Sequence, residues 1–245
     1  ARPDFYTDPR GRLSAAWHCL QYRRIAKRAE RIITVSEFSK SEIAKYYGVP
    51  ASKMDVVYNA WQQMQRIAPD ESIFARHPQL KPGQYYFSMA NLLKNKNFPW
   101  VLRAAKAKPD AMFAIAGGGS LAEEAGRLGL ADLPNVVYLG YVSDGEAKSL
   151  MANCRAFLFP TLYEGFGIPP LEALALGAPI ALANATCLPE LYGDTARYFD
   201  PYDYDTDLDK LAAQPVAAPD EVLQKYSWDR TANFWLHEIE KYAKM

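Results

Sequence analysis

The sequence predicts an α/β protein: a Rossmann-like parallel sheet flanked by helices, preceded by part of a second α/β domain. Three observations predict it. From residue 81 to 200, short apolar runs alternate with helix-like segments; strands apolar on both faces and separated by helices belong to a parallel sheet covered on both sides. Glycines cluster where strand-like runs give way to helices, as in Gly117-Gly118-Gly119 and Gly165-Phe166-Gly167. A chain of 245 residues, 49% hydrophobic and 23% charged, is long and apolar enough for one packed core and part of another, which excludes disordered and coiled-coil classes.

Taken in order, residues 14–31 read as a helix rich in basic residues, and IITV (32–35) as a short buried strand. Ser36 caps a second helix running to 47, which Gly48 and Pro50 end. DVVY (55–58) is another strand. Two helices and two short strands cannot bury a sheet alone, so residues 1–60 are expected to be the end of a truncated N-terminal α/β domain. Residues 61–80, irregular and polar with Pro69 and Pro78, are expected to be a linker. Residues 81–222 form the Rossmann-like domain, with strands at 85–89, 112–116, 136–139, 156–159, 179–183 and 196–199. Its helices are expected over 99–106, from 120, over 144–151 and over 169–176. Residues 223–245 are an amphipathic C-terminal helix expected to pack back toward the N-terminal part through Trp228 and Trp235.

Lysine plus arginine and aspartate plus glutamate balance at 28 each, so no net field draws the molecule onto nucleic acid. No apolar run reaches the ~18–20 residues that span a bilayer, and the N-terminus has no signal-peptide core. Three widely spaced cysteines, Cys19, Cys154 and Cys187, form no disulfide framework or CxxC metal pair; the latter two read as core fillers, and a cytoplasmic location is expected. Arg23, Arg24, Lys27, Arg28 and Arg31 recur at i, i+4 in the basic segment 23–31. They form either a solvated face or a weak peripheral contact with the inner face of a membrane, worth about 1 kcal/mol per charge. There is no HExxH or GxSxG, and His18, His77 and His237 lack metal-ligand spacing.

The segment richest in chemistry is PTLYEGFGIPPLEAL, residues 160–174. A strand ends in a glycine-punctuated loop, and Pro169 and Pro170 stand where a helix starts. The positive end of that helix, with Gly165 and Gly167 keeping the approach clear, is an anion site. Glu164 before the loop and Glu172, expected in the first helical turn, flank it, and a carboxylate accepts two hydrogen bonds from a sugar diol. The plainer alternative is a turn whose glutamate stabilises its own helix.

YEGFGIPPLEALALGAPI closely resembles the E-x7-E signature of retaining GT-B glycosyltransferases of family 4. ITVSEFSKSEI with DVVYNA resembles the end of that family's N-terminal domain, NVVYLGYVSD its nucleobase loop, NATCLPELYGDTARYFDP its closing segment, and SWDRTA the start of its C-terminal helix. These stretches, in this order, cover most of residues 30–235. The resemblance implies the C-terminal half of a GT-B fold binding a nucleotide-diphosphate sugar, without metal or cofactor. It implies transfer of the sugar to a saccharide or lipid-linked hydroxyl acceptor in polysaccharide or glycolipid assembly. Glu164 would contact donor-sugar hydroxyls and Glu172 the ribose; Gly165, Phe166, Gly167 and Ile168 would line the sugar, and Gly118, Tyr141 and Val142 would border the nucleotide. Lys96 matches the lysine the family places on the diphosphate, whereas Asn91 stands where arginine is usual. Either Lys94 compensates, or phosphate binding rests on Lys96 and the helix end. Lys96 and Glu164 are the catalytic candidates.

Three rivals remain. A binding module without turnover fits a chain whose N-terminal domain is incomplete, and the isolated chain is expected to bind without transferring. Gly117-Gly118-Gly119-Ser120-Leu121-Ala122 fits GxGxxA, the mark of a nicotinamide dehydrogenase, but the strand that follows ends Leu139-Gly140-Tyr141 without the acidic residue the ribose needs. A GT-B epimerase would share the nucleotide cradle without needing the E-x7-E spacing. Asp203, Asp205, Asp207 and Asp209 alternate but lack the glycine and glutamate of an EF-hand, and read as a cap before a surface helix.

Overall fold

A computed structural model describes residues 9–89 and 91–243. Helix α1 (Pro9–Arg28) leads to strand β1 (Ile32–Thr34), helix α2 (Glu37–Tyr47) and strand β2 (Met54–Val56). Ser36 caps α2 by accepting the N–H of Ser39 at 3.0 Å, and Gly48 ends it in the left-handed conformation at φ 66°. β1 and β2 pair in parallel as a two-stranded sheet, over a small core of Ala26, Val49 and Met54.

The segment expected to be an irregular linker is instead ordered and packed. It forms two short helices, α3 (Gln63–Arg66) and α4 (Ser72–Arg76), and buries Met64, Ile73 and Leu80. Its isolated apolar residues are too sparse to register as a periodic pattern, yet Ile73 and Leu80 join the main core. Lys148 ties it down, donating to the Met64 and Ile67 carbonyls at 2.7 Å each.

The remainder alternates strand and helix: β3 (Tyr85–Met89), α5 (Phe98–Ala107), β4 (Met112–Ala116), α6 (Leu121–Arg127), β5 (Val136–Gly140), α7 (Asp144–Asn153), β6 (Ala156–Phe159), α8 (Ile168–Ala175), β7 (Ile180–Ala183), α9 (Leu188–Tyr192) and β8 (Arg197–Phe199). All six strands are parallel, in the order β5-β4-β3-β6-β7-β8. β3, β4, β6 and β7 are almost wholly buried runs, as strands covered on both faces must be. Trp100 of α5 is fully buried and stacks on Phe199, ring centroids 4.1 Å apart. Cys154 and Cys187 are buried, and burial pushes both thiols up to about 12, so they are inert core residues.

Helices α10 (Leu208–Ala213), α11 (Asp220–Lys225) and α12 (Trp228–Ala243) close the chain. Asp207 caps α10 by accepting the N–H groups of Asp209 and Lys210, and Asp209 pairs with Lys108 and Arg155, which is the capping arrangement read from the aspartate run. α12 does return to the N-terminal part: Thr231 donates to the Tyr58 carbonyl at 2.7 Å, and Glu238 pairs with Arg31 at 3.1 Å. The tryptophans do not drive this contact. Trp235 is 45% exposed and Trp228 37%, although both share the helical face of Thr231 and Glu238, and the polar contacts of those two residues make the join. Helix α1 stops at Arg28, and Arg31 is held by Asp55 and Glu238, so it does not belong to the basic face.

The strand order decides where function sits. The chain runs outward from β3 to β4 and β5, then returns to the other side of β3 for β6, β7 and β8. The loops after β3 and β6 therefore diverge, and the carboxyl edge between them opens into the crevice where such sheets bind ligands.

Candidate functional site

Both walls of this crevice are fixed by backbone contacts. After β3, residues Lys94–Lys96 make a 3-10 turn, and Asn97, buried at φ 52°, starts α5. After β6, residues 160–167 form the glycine loop. Asn95 joins them: its carbonyl accepts the Leu162 N–H at 2.7 Å and the Thr161 hydroxyl at 2.7 Å, while its amide donates to the Tyr163 carbonyl at 3.1 Å. The Asn97 amide donates to the carbonyls of Pro160 and Pro201 at 3.1 and 2.9 Å.

On this frame Lys96 and Glu164, 68 residues apart, meet at 2.5 Å. Both are partly buried, and the ammonium lies 5.7 Å from the Phe159 ring centroid. Lys94 does not join them. It is exposed and lines a neighbouring hollow of about 350 Å³ with Asn91, Leu92, Phe98 and Glu124. Asn91 is used locally, its side chain accepting the Leu93 N–H at 3.0 Å.

Gly167 is the N-cap of α8 at φ 83°, and its carbonyl accepts the hydroxyl of buried Tyr192 at 2.5 Å. α8 begins at Ile168, so Pro169 and Pro170 are its second and third residues and carry no N–H. The first turn of α8 therefore lacks two of the N–H groups that a helix start ordinarily offers an anion. The backbone donors reduce to Gly167 and Ile168, and the helix contributes mainly through its field. Glu172 lies in the second turn, not the first, because the helix starts one residue before the prolines. It is largely buried, accepts the Gln63 amide at 2.7 Å, and burial holds its carboxyl above the ordinary range, with Gln63 partly opposing and Asp144 reinforcing the shift. Gln63 in turn accepts the Trp228 indole N–H at 2.6 Å.

Gly118, Tyr141 and Val142 follow β4 and β5 at the same sheet edge. A Cβ at Gly118 would meet open space; Tyr141 is 86% exposed, and Val142 is buried beneath it. Phe166 is buried and lies edge-on to Tyr226, its centroid 5.4 Å away; Gly165 and Ile168 are partly exposed beside it.

Several contacts here were not read from the sequence. The Gly165 carbonyl accepts the hydroxyls of Ser36 and Ser39 at 2.6 and 3.3 Å. Glu190 of α9 accepts the N–H groups of Glu37 and Phe38 at 2.8 Å each, placing a carboxylate on the positive end of α2. Together these lock α2 to the glycine loop. Ser36 registered only as a helix cap, and Ser39 and Glu190 gave no signal of their own; each reaches more than 120 residues along the chain, which no local pattern encodes.

This chain belongs to the family of glycosyltransferases described as Glycosyl transferases group 1, which matches residues 70–213; Glycosyltransferase Family 4 matches residues 3–61. Among its relatives, O-antigen chain mannosyltransferase B of Escherichia coli is 30% identical over 227 residues, covering 83% of this chain and 54% of that protein. O-antigen chain mannosyltransferase RfbU of Salmonella typhimurium is 28% identical over 208 residues, covering 82% and 55%. The chain thus spans about half the length of the curated relatives it matches. The fold is GT-B: a sucrose-phosphate synthase from Thermosynechococcus elongatus superposes with TM-score 0.74 at 16% identity over 94% of this chain and 63% of that one. Anabaena HepE in complex with UDP and glucose gives 0.71 at 19% identity over 100% and 69%.

Proposed function

We propose that this chain supplies the donor-binding half of a retaining glycosyltransferase that moves a sugar from a nucleoside diphosphate to a hydroxyl acceptor. The observation that carries this reading is the meeting of Lys96 and Glu164 at the switch point of the sheet, beside the positive end of α8. One cation, a helix dipole and a carboxylate there match a diphosphate bonded to a sugar. The bond between the anomeric carbon and the diphosphate oxygen breaks, the acceptor oxygen bonds to that carbon from the same face, and its proton leaves with the diphosphate. Charge growing on the leaving oxygen meets Lys96 and the field of α8, which stabilise it before any rearrangement. No metal or cofactor is assigned. Relatives named as O-antigen mannosyltransferases support a hexose donor and a saccharide or lipid-linked acceptor in polysaccharide assembly, and HepE, solved with UDP and glucose, supports a nucleotide-linked sugar.

Glu172 is assigned to the ribose, where only the ionised carboxylate accepts from both hydroxyls. Its carboxyl is raised by burial, so the protonated form persists above the usual range. Calorimetric titration with a panel of ribonucleoside diphosphates should show binding that strengthens as pH rises through this raised value. Glu172→Gln should remove that part of the pH dependence and leave the 2′-deoxy and ribo forms nearly equal in affinity. Failure of every nucleoside diphosphate to bind in a folded protein would refute the functional reading.

Peripheral contact with the inner membrane face rests on α1. Leu13, Trp17, Leu20, Arg24 and Lys27 recur at four- and three-residue steps and are all exposed, making one stripe that is apolar in its first half and basic in its second. Among the described residues no helix is long and apolar enough to cross a membrane. Neutralising Arg24 and Arg28 should lower partitioning onto anionic vesicles by about tenfold or more, at about 1 kcal/mol per charge. Unchanged co-sedimentation would refute the contact.

A further inference from the structure

We propose that Lys96 and Glu164 form an exchangeable pair that makes the site select intact nucleotide sugar over bare nucleoside diphosphate; this rests on the donor-site reading above. In the free protein the ammonium and carboxylate satisfy one another at 2.5 Å, with 26% and 18% of the side chains exposed. Among the described residues the Glu164 carboxylate has one further hydrogen bond, from the Thr161 hydroxyl at 3.3 Å, but that hydroxyl's stronger partner is the Asn95 carbonyl at 2.7 Å. Lys96 otherwise faces the Phe159 ring, which offers no competing carboxylate. The loops carrying the two residues are pinned by Asn95 and Asn97, so exchange proceeds by side-chain rotation without loop rearrangement.

A diphosphate entering the crevice draws Lys96 away. With a bare nucleoside diphosphate, Glu164 is then left partly buried, without its cation and beside new negative charge, a combination that opposes binding. With a nucleotide sugar, the sugar hydroxyls donate to the Glu164 carboxylate as the ammonium departs, and both groups remain paired. The exchange therefore rewards the substrate over the product. Once the sugar has been transferred, Glu164 recaptures Lys96 and displaces the nucleoside diphosphate. Glu164 thus acts as a specificity residue as well as a sugar contact.

The test is calorimetric titration of the folded chain and its variants with a ribonucleoside diphosphate and with the matching nucleotide sugar. Glu164→Gln should bind the bare diphosphate about tenfold tighter than the parent, since the carboxylate no longer holds Lys96 or repels phosphate. The preference for the nucleotide sugar should shrink by a similar factor. Glu164→Ala should change in the same direction, which guards against an effect peculiar to the glutamine. Lys96→Ala should weaken both ligands. If diphosphate affinity is unchanged or weaker in both Glu164 variants while Lys96→Ala still weakens it, the exchange is refuted and the donor site stands. If Lys96→Ala also leaves diphosphate affinity unchanged, the donor-site reading falls with it.

Discussion

Replacing Lys96 by alanine is expected to slow sugar transfer about 10²–10³-fold, the range seen when one preorganised electrostatic donor is removed from an active site. The size of the effect follows from what remains. Pro169 and Pro170 remove N–H groups from the first turn of α8, so the helix offers about half a charge as a field and few directed hydrogen bonds. Lys94 cannot substitute, because it lies exposed in the adjoining hollow and not against Glu164. Lys94→Ala should in contrast change the rate by no more than about threefold, as expected for an exposed charge. Initial-rate measurements in a form of the enzyme that turns over separate the two. A Lys96→Ala rate within threefold of the parent, or a larger loss at Lys94, would overturn the assignment of the diphosphate to Lys96.

What could be read from residues alone divides along physical lines. The strands of the large sheet are legible because YYFSM, MFAIA and AFLF are apolar runs that only a doubly covered parallel sheet accommodates. The glycine loop is legible because its chemistry is written consecutively from Glu164 to Pro170. The family resemblance put Lys96 and Glu164 each on the donor, but their pairing with one another was not legible, since it depends on β3 and β6 being neighbours, and strand order is a global property. The same reason hides Gln63 on Glu172, and Glu190 on the start of α2. The misplacement of Glu172 has a different origin. Two prolines were taken to open the helix, whereas Gly167 at positive φ lets it begin at Ile168, and that one-residue shift puts the carboxylate just past the first turn, where it accepts from Gln63.

Gly167→Ala is expected to destabilise the fold by about 2–4 kcal/mol, combining left-handed strain at a non-glycine residue with crowding in a packed interior. The backbone at Gly167 has φ 83°, and an added Cβ would stand 3.0 Å from Leu188 Cδ2 and 3.3 Å from Phe159 Cε1. Leu188 and Phe159 are both buried, so neither side chain can swing aside into solvent. The Gly167 carbonyl also holds the Tyr192 hydroxyl, and any local rotation that relieves the Cβ contact disturbs this buried bond. Relaxation would tilt the start of α8, so the surviving folded fraction should also bind nucleoside diphosphate more weakly. Gly118 provides the control: it lies at the same sheet edge, but its added Cβ meets nothing within 4 Å and its φ is not in the left-handed region. Gly118→Ala should therefore stay within about 0.5 kcal/mol of the parent, as surface substitutions without special features do. Urea unfolding of the two variants decides the matter. Equal stabilities would mean that the turn at Gly167 is neither strained nor crowded by a methyl group, and that its hold on the start of α8 lies elsewhere.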